Sequence, residues 1–318
     1  MAEVRNARAE AQNALGAGLA ARVLEPSPPA VTDEFFADDP TEVATDGPTV
    51  SPVGNADRTW ADAIAADATL ADFADERWLT PTRRLSAPPA TLAETRLALH
   101  RVAAYVMSPA RRRANEKIAL RWTLGGFGTP FFGDDEQLRI EGTDLVVQQG
   151  DTVRAVPLTT LNEVAAALGS TPDVEWASQF DIPEPGDLDA PLPVDPAASA
   201  WLGEWYGFAT SVLEELRHDA ESSDVSRIQL WPEHFDPAFE MLSDAEKRRA
   251  SYGASPGDVH IDEPYLYVGP WYGADQPAND FWTNGFAAKP LSSFLDADDQ
   301  RAAALDFYRH GRRLLAEA

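Results

Sequence analysis

The chain has 318 residues, with 52 Asp and Glu against 26 Lys and Arg, a formal charge of −26. That balance argues against binding nucleic acid or an anionic membrane, both of which need clustered Lys and Arg. No apolar run reaches the roughly 18 residues of a membrane-spanning helix, residues 1–24 lack a secretory pattern, and the absence of cysteine excludes disulfides and thiolate chemistry, so a cytoplasmic protein is expected.

Residues 2–22 are Ala-rich, with Val4, Ala7, Ala11, Leu15 and Leu19 near helical spacing, which predicts a weak helix interrupted by Gly16 and Gly18. Residues 25–57 hold six prolines and no Lys or Arg. Such a stretch cannot bury enough apolar surface to fold alone, so residues 1–58 are expected to form a largely disordered acidic arm. Thr59-Trp60-Ala61-Asp62 fits a helix-capping box, with Trp60, Ile64, Leu70 and Phe73 as the apolar face of the helix it would open. A second helix is predicted from Leu92 to Val106.

Strand patterns follow at Ile118–Thr123, Gln137–Glu141, Leu145–Gln148 and Thr152–Pro157, separated by turn residues such as Gly142-Thr143-Asp144. They predict an antiparallel meander closed by a helix at Thr159–Leu168. Ser170 to Asp195 is Pro-rich and acidic and reads as a linker. A long helix follows at Ala197–Arg217, then strands at Ile228–Trp231, Val259–Ile261 and Tyr265–Val268, then a terminal helix at Asp296–Leu315.

The two halves share ordered matches. Leu138-Arg139-Ile140-Glu141 with Leu145-Val146-Val147 parallels Val259-His260-Ile261-Asp262 with Leu266-Tyr267-Val268. Pro157-Leu158-Thr159-Thr160-Leu161 parallels Pro290-Leu291-Ser292-Ser293-Phe294, and Ile118, Leu120 and Phe127 parallel Ile228, Leu230 and Phe235. The expected fold is α+β, with two related helix–meander–helix units at 59–169 and 196–318, the acidic linker 170–195 between them, and the flexible arm in front.

Three stretches carry a family resemblance: Gly125–Asp135, Gln229–Asp236, and Tyr252–Asp258 leading to Glu263–Trp271. On these the chain resembles an uncharacterised family of actinobacterial proteins over roughly residues 59–316. The family implies no activity and no catalytic residue. The helix–meander–helix order is also similar to sterol-carrier-like domains, a likeness of fold that implies nothing about function.

Gly125–Gly133 has neither the GxGxxG register nor a Gly-Lys-Ser/Thr, so it reads as a hairpin or bulge with aromatic plugs rather than a phosphate loop. The richest chemistry lies in the second half. Glu233, His234 and Asp236 sit just past a strand end, and Asp258 and His260 flank another. Two imidazoles with nearby carboxylates are candidates for acid–base work or for a divalent metal, His234 and His260 being the candidate ligands. The plainer reading is that His234 caps a turn and His260 is an exposed strand residue. Trp231, Tyr265, Tyr267 and Trp271 are the candidate ligand-binding aromatics, core being the competing role. His100 is placed at the edge of its helix stripe.

These readings favour a binding protein for a small, partly apolar ligand held in an aromatic-lined cleft of the second half. A metal- or acid/base-dependent hydrolase using His234 and His260 is the alternative, and an interaction module using the acidic arm is a third. No cofactor is expected, and the pattern makes no statement on oligomeric state.

Overall fold

The computed structural model describes residues 84–317, apart from 124–125, 131, 133–135, 150–151, 218, 227 and 274–279, together with three short upstream strands. Those strands are β1 (Val4–Arg5), β2 (Thr49–Val50) and β3 (Asn55–Thr59). β1 falls where a weak helix was expected. It pairs antiparallel with a strand edge at Arg154 and Val153, where free backbone groups accept it. Thr59 likewise ends β3 rather than capping a helix. The rest of the expected arm and the helix bearing Trp60, Ile64, Leu70 and Phe73 lie outside the described residues.

Helix α1 (Leu92–Val102) runs through one wide turn, Ala103–Met107, into α2 (Ser108–Asn115). The predicted helix stops at Val106; the observed one continues through Pro109. Proline lacks an N–H, and the Tyr105 carbonyl one turn earlier accepts instead from the Asp173 N–H at 3.0 Å. Five strands follow: β4 (Arg121–Thr123), β5 (Gly126–Gly128), β6 (Glu136–Glu141), β7 (Asp144–Gln149) and β8 (Thr152–Pro157). Then come α3 (Leu161–Ala167), α4 (Val174–Ala177) and α5 (Pro196–Arg217). A second set of strands comprises β9 (Gln229–Trp231), β10 (Asp236–Met241), β11 (Ala250–Ser255), β12 (Tyr265–Pro270) and β13 (Ala287–Pro290), and α6 (Gln300–Glu317) closes the chain. Helices and antiparallel sheets together make the α+β class expected. Among the described residues no helix is long and apolar enough to cross a membrane.

One sheet runs β1-β8-β7-β6-β5-β4 and the other β13-β12-β11-β10-β9. Their inner edges meet at Leu120 and Leu230, which exchange both backbone hydrogen bonds at 2.8 Å. Alternation from that bridge assigns every side chain to one of two faces. Leu120, Trp122, Phe127, Leu138, Ile140 and Leu145 share the helix-covered face with Leu230, Phe239, Tyr252, Leu266 and Val268, all in one continuous core. The helix α5 is buried over most of its circumference because it lies across the junction. Trp122 Nε1 donates to the Gly203 carbonyl at 3.1 Å, tying the first sheet to α5, and Tyr206 ties the second. The opposite face carries Arg139, Gln148, Asp236, Ser255, Tyr265 and Tyr267.

The turn Gly142-Thr143 is a two-residue hairpin loop between paired Glu141 and Asp144, and Gly142 has the positive φ such loops require. Thr160 caps α3 by accepting from the Glu163 N–H, and the parallel Pro290–Phe294 segment forms a short 3-10 turn after β13. The proposed strand at Val259–Ile261 does not form. Residues 256–264 are a loop between β11 and β12, with Val259 93% exposed. The strands equivalent in order to β6 and β7 are β11 and β12, so Leu138–Glu141 lies opposite no counterpart at Val259–Asp262. Segment 170–195 carries α4 and is held to the first half by the Leu192 N–H on the Thr159 carbonyl and the Tyr105 hydroxyl on the Pro183 carbonyl.

Candidate functional site

An antiparallel meander places alternate connections at the same end of the sheet. The β9–β10 turn, bearing Glu233, His234 and Asp236, therefore neighbours the β11–β12 loop, bearing Asp258 and His260. Helix α1 passes both. His100 on α1 sets Nε2 2.8 Å from the Pro232 carbonyl and stacks on Phe235 at 4.8 Å. Arg96, one turn earlier, donates to the Pro256 carbonyl at 3.3 Å.

The β9–β10 turn is strained. Phe235 has φ +57, a region that bulky side chains rarely enter and that costs about 1–2 kcal/mol. Its neighbours hold it there. The Phe235 N–H donates to the Trp231 carbonyl at 2.7 Å, and its own carbonyl accepts the Tyr206 hydroxyl at 2.7 Å. Its ring meets Phe127 edge-on at 5.0 Å. With Phe235 turned into the core, Asp236 begins β10 on the other face, opposite Trp231.

Asp236 is 2% exposed. Its Oδ2 accepts the Tyr267 hydroxyl at 2.5 Å, while Oδ1 is buried without a partner. Burial pushes its carboxyl above the usual range, and Asp258 adds repulsion that Tyr267 and His234 partly offset. Glu233 repeats the pattern: Oε2 is buried without a partner, and burial raises its carboxyl. Tyr267 is pushed well above the normal phenol range, first by burial and then by Asp236.

Asp258 is different. It accepts the Tyr265 hydroxyl at 2.5 Å and the N–H groups of His260 and Ile261 at 2.7 and 2.9 Å. Burial opposes its charge, but those donors outweigh it and hold the carboxyl below its ordinary range. The tyrosine hydroxyls therefore do not point into open space; each donates to a carboxylate.

Trp231, Glu233, His234, Asp236, Tyr265 and Tyr267 thus gather at one end of the second sheet with Asp258. His260 sits on the loop beside them with its side chain exposed. Neither the His234 nor the His260 imidazole makes a side-chain hydrogen bond among the described residues, so the base–orienter pair does not form. Among the described residues no group of three or more His, Asp or Glu is placed to hold a metal. Trp271 does not join. It follows β12 at the far end, about 20 Å from Tyr265 along the strand, 50% exposed with the Arg249 guanidinium 5.2 Å over its ring.

Three residues belong here that sequence reasoning missed: Arg96, His100 and Tyr206. His100 was placed at the stripe's edge, but the Pro232 carbonyl and Phe235 enclose it, and burial lowers its pKa to about 4. Only its position four residues after Arg96 on the same helix face hinted at a shared role. No protein-family model, no curated protein and no solved structure matches this chain.

Proposed function

We propose that this chain is a small-molecule binding protein whose site lies at the end of the second sheet, between the β9–β10 turn and the β11–β12 loop. One observation carries the reading. Two carboxyl oxygens of one turn, Asp236 Oδ1 and Glu233 Oε2, are buried without partners, and Phe235 between their residues has φ +57. Buried polar atoms are paired in folded proteins unless a missing partner or a functional demand explains them. Trp231 and Tyr267 beside them are half-buried. The hydrolase reading lacks this support, because His234 and His260 orient no partner.

Further readings belong with this one. The common order of helix, five-strand meander and helix, with matched segments after β8 and β13, supports an internal duplication across 59–169 and 196–318. The −26 charge and lack of cysteine support a cytoplasmic setting. Membership of the actinobacterial family rests on the motifs quoted above. Native mass spectrometry of freshly purified full-length protein tests the binding reading. The expected result is a retained small molecule that is lost in Asp236→Asn. A clean apo mass at native conditions, with no ligand taken up from a metabolite extract, overturns it.

A further inference from the structure

The face that carries Asp236 also carries an aromatic shelf. The Tyr267 ring lies across Gly253, where a Cβ would come within 2.5 Å of its Cζ and hydroxyl oxygen. Only glycine leaves room for it. Phe286 lies over Gly269, 3.6 Å from where a Cβ would stand. The two rings stack with centroids 5.6 Å apart and planes 21° apart, and Tyr265 continues the row at 6.2 Å. Phe286 is 37% exposed, Tyr267 is half-buried and Tyr265 is buried, so the row descends from solvent to the carboxyls of Asp236 and Asp258.

Near its inner end the tyrosine donors are already engaged, and two acceptor oxygens are not. The Tyr267 hydroxyl is held by Asp236 and the Tyr265 hydroxyl by Asp258, while Asp236 Oδ1 and Glu233 Oε2 have no hydrogen-bond partner. Local cations donate no hydrogen bond to these two oxygens. Arg96 bonds the Pro256 carbonyl and reaches only the exposed Asp262, at 3.9 Å, and His234 is exposed. An anion entering here meets three carboxyls. A neutral ligand leaves buried acidic groups without a counter-charge, which is the costlier arrangement. A cation satisfies both oxygens and also suits the electron-rich ring faces.

Building on the small-molecule reading above, we propose that the site takes an organic ammonium ion. Its nitrogen donates to Asp236 Oδ1 and Glu233 Oε2, and its apolar body lies on Tyr267 and Phe286.

The test is calorimetric titration of the full-length chain with benzylammonium, benzyl alcohol and benzoate, three probes of nearly one shape and three charges. Benzylammonium is expected to bind at least tenfold more tightly than either other probe. Asp236→Asn and Glu233→Gln, each checked for an intact melting transition, are expected to weaken it at least tenfold. If benzyl alcohol or benzoate binds as well as benzylammonium, and does so at Asp236, the ammonium assignment is overturned while the small-molecule reading stands. If benzylammonium binds both variants as it binds the parent, its attraction is to the acidic surface at large, and the assignment is overturned. If no probe binds at millimolar concentration, the assignment also falls, and the retained-ligand measurement above decides the broader reading separately.

Discussion

The two sheets bury polar groups on the same face, and Arg139 in the first and Asp236 in the second meet opposite surroundings. In the first sheet Arg139, 3% exposed, donates to Glu141 at 2.6 Å and to Gln148 at 2.8 Å, while Gln137 donates to the Thr129 carbonyl at 3.1 Å. In the second sheet Asp236 is equally buried, yet one carboxyl oxygen has no partner and its charge meets other carboxyls. Buried polarity by itself therefore marks nothing. Paired polar groups such as Arg139 rigidify a fold, whereas a buried carboxyl oxygen without a partner asks for an explanation.

Glycines sharpen the contrast most strongly. At Gly128 in the first sheet a Cβ would stand 2.5 Å from the Leu138 carbonyl oxygen, which is backbone and cannot move aside. Gly128→Ala is expected to cost about 3 kcal/mol or more in chemical denaturation. At Gly253 the obstacle is the far end of the Tyr267 side chain, which can swing away. Gly253→Ala is expected to cost less, about 1–2 kcal/mol, and much less still in a Tyr267→Ala background. Equal losses at the two sites, unchanged by Tyr267→Ala, would contradict the flat seat of the ring.

Charge removal separates the sheets by sign. Arg139→Met is expected to destabilise by about 2 kcal/mol, since it removes the hydrogen bonds that Arg139 gives to buried Gln148 and half-buried Glu141. Asp236→Asn is expected to raise the melting temperature at neutral pH. A carboxyl whose pKa is raised on folding favours the folded state only while protonated, and that advantage is lost as pH rises. The increment should therefore shrink on acidification. A drop in melting temperature for Asp236→Asn at pH 7 would break the comparison.

His100 supplies an acid-sensitive element of the opposite sign. An unfolded histidine protonates near 6.5 and His100 only near 4, so in that window the unfolded chain binds more protons. Stability is expected to fall as pH drops from about 6.5 to about 4, by on the order of 3 kcal/mol. His100→Gln should flatten that part of the profile in pH-dependent melting curves. The smallest effect belongs to Tyr267→Phe. It removes the donor to Asp236 Oδ2 and should cost about 1 kcal/mol by urea denaturation. A loss several times larger would make Tyr267 chiefly a core residue.

The first meander was legible because its signals are local. Strands β6 to β8 alternate, the turn between β6 and β7 carries Gly142, and helix α3 is announced by Thr160. Strands β10 and β11 escaped notice for equally local reasons. Pro237 stands second in β10 and reads as a breaker, although its Leu230 pairing tolerates it. β11 is Ala-Ser-Tyr-Gly-Ala-Ser, whose small residues and glycine look like loop. Conversely Val259-His260-Ile261 looks like a strand but is pulled into a turn, because the Asp258 carboxylate takes its N–H groups.

Sequence by itself determined the α+β class, the acidic balance, most helices and the neighbourhood of Glu233 to Asp236. Periodicity, capping and turn chemistry act over a few residues and can be read along the chain. Tertiary structure alone decided which oxygens are left bare. Asp236 meets Tyr267 31 residues away, across a glycine on the strand between them, and His100 meets Pro232 132 residues away. Burial, pairing and the pKa shifts they cause are set by strand register and helix packing. Those depend on contacts between distant segments, which no local pattern encodes.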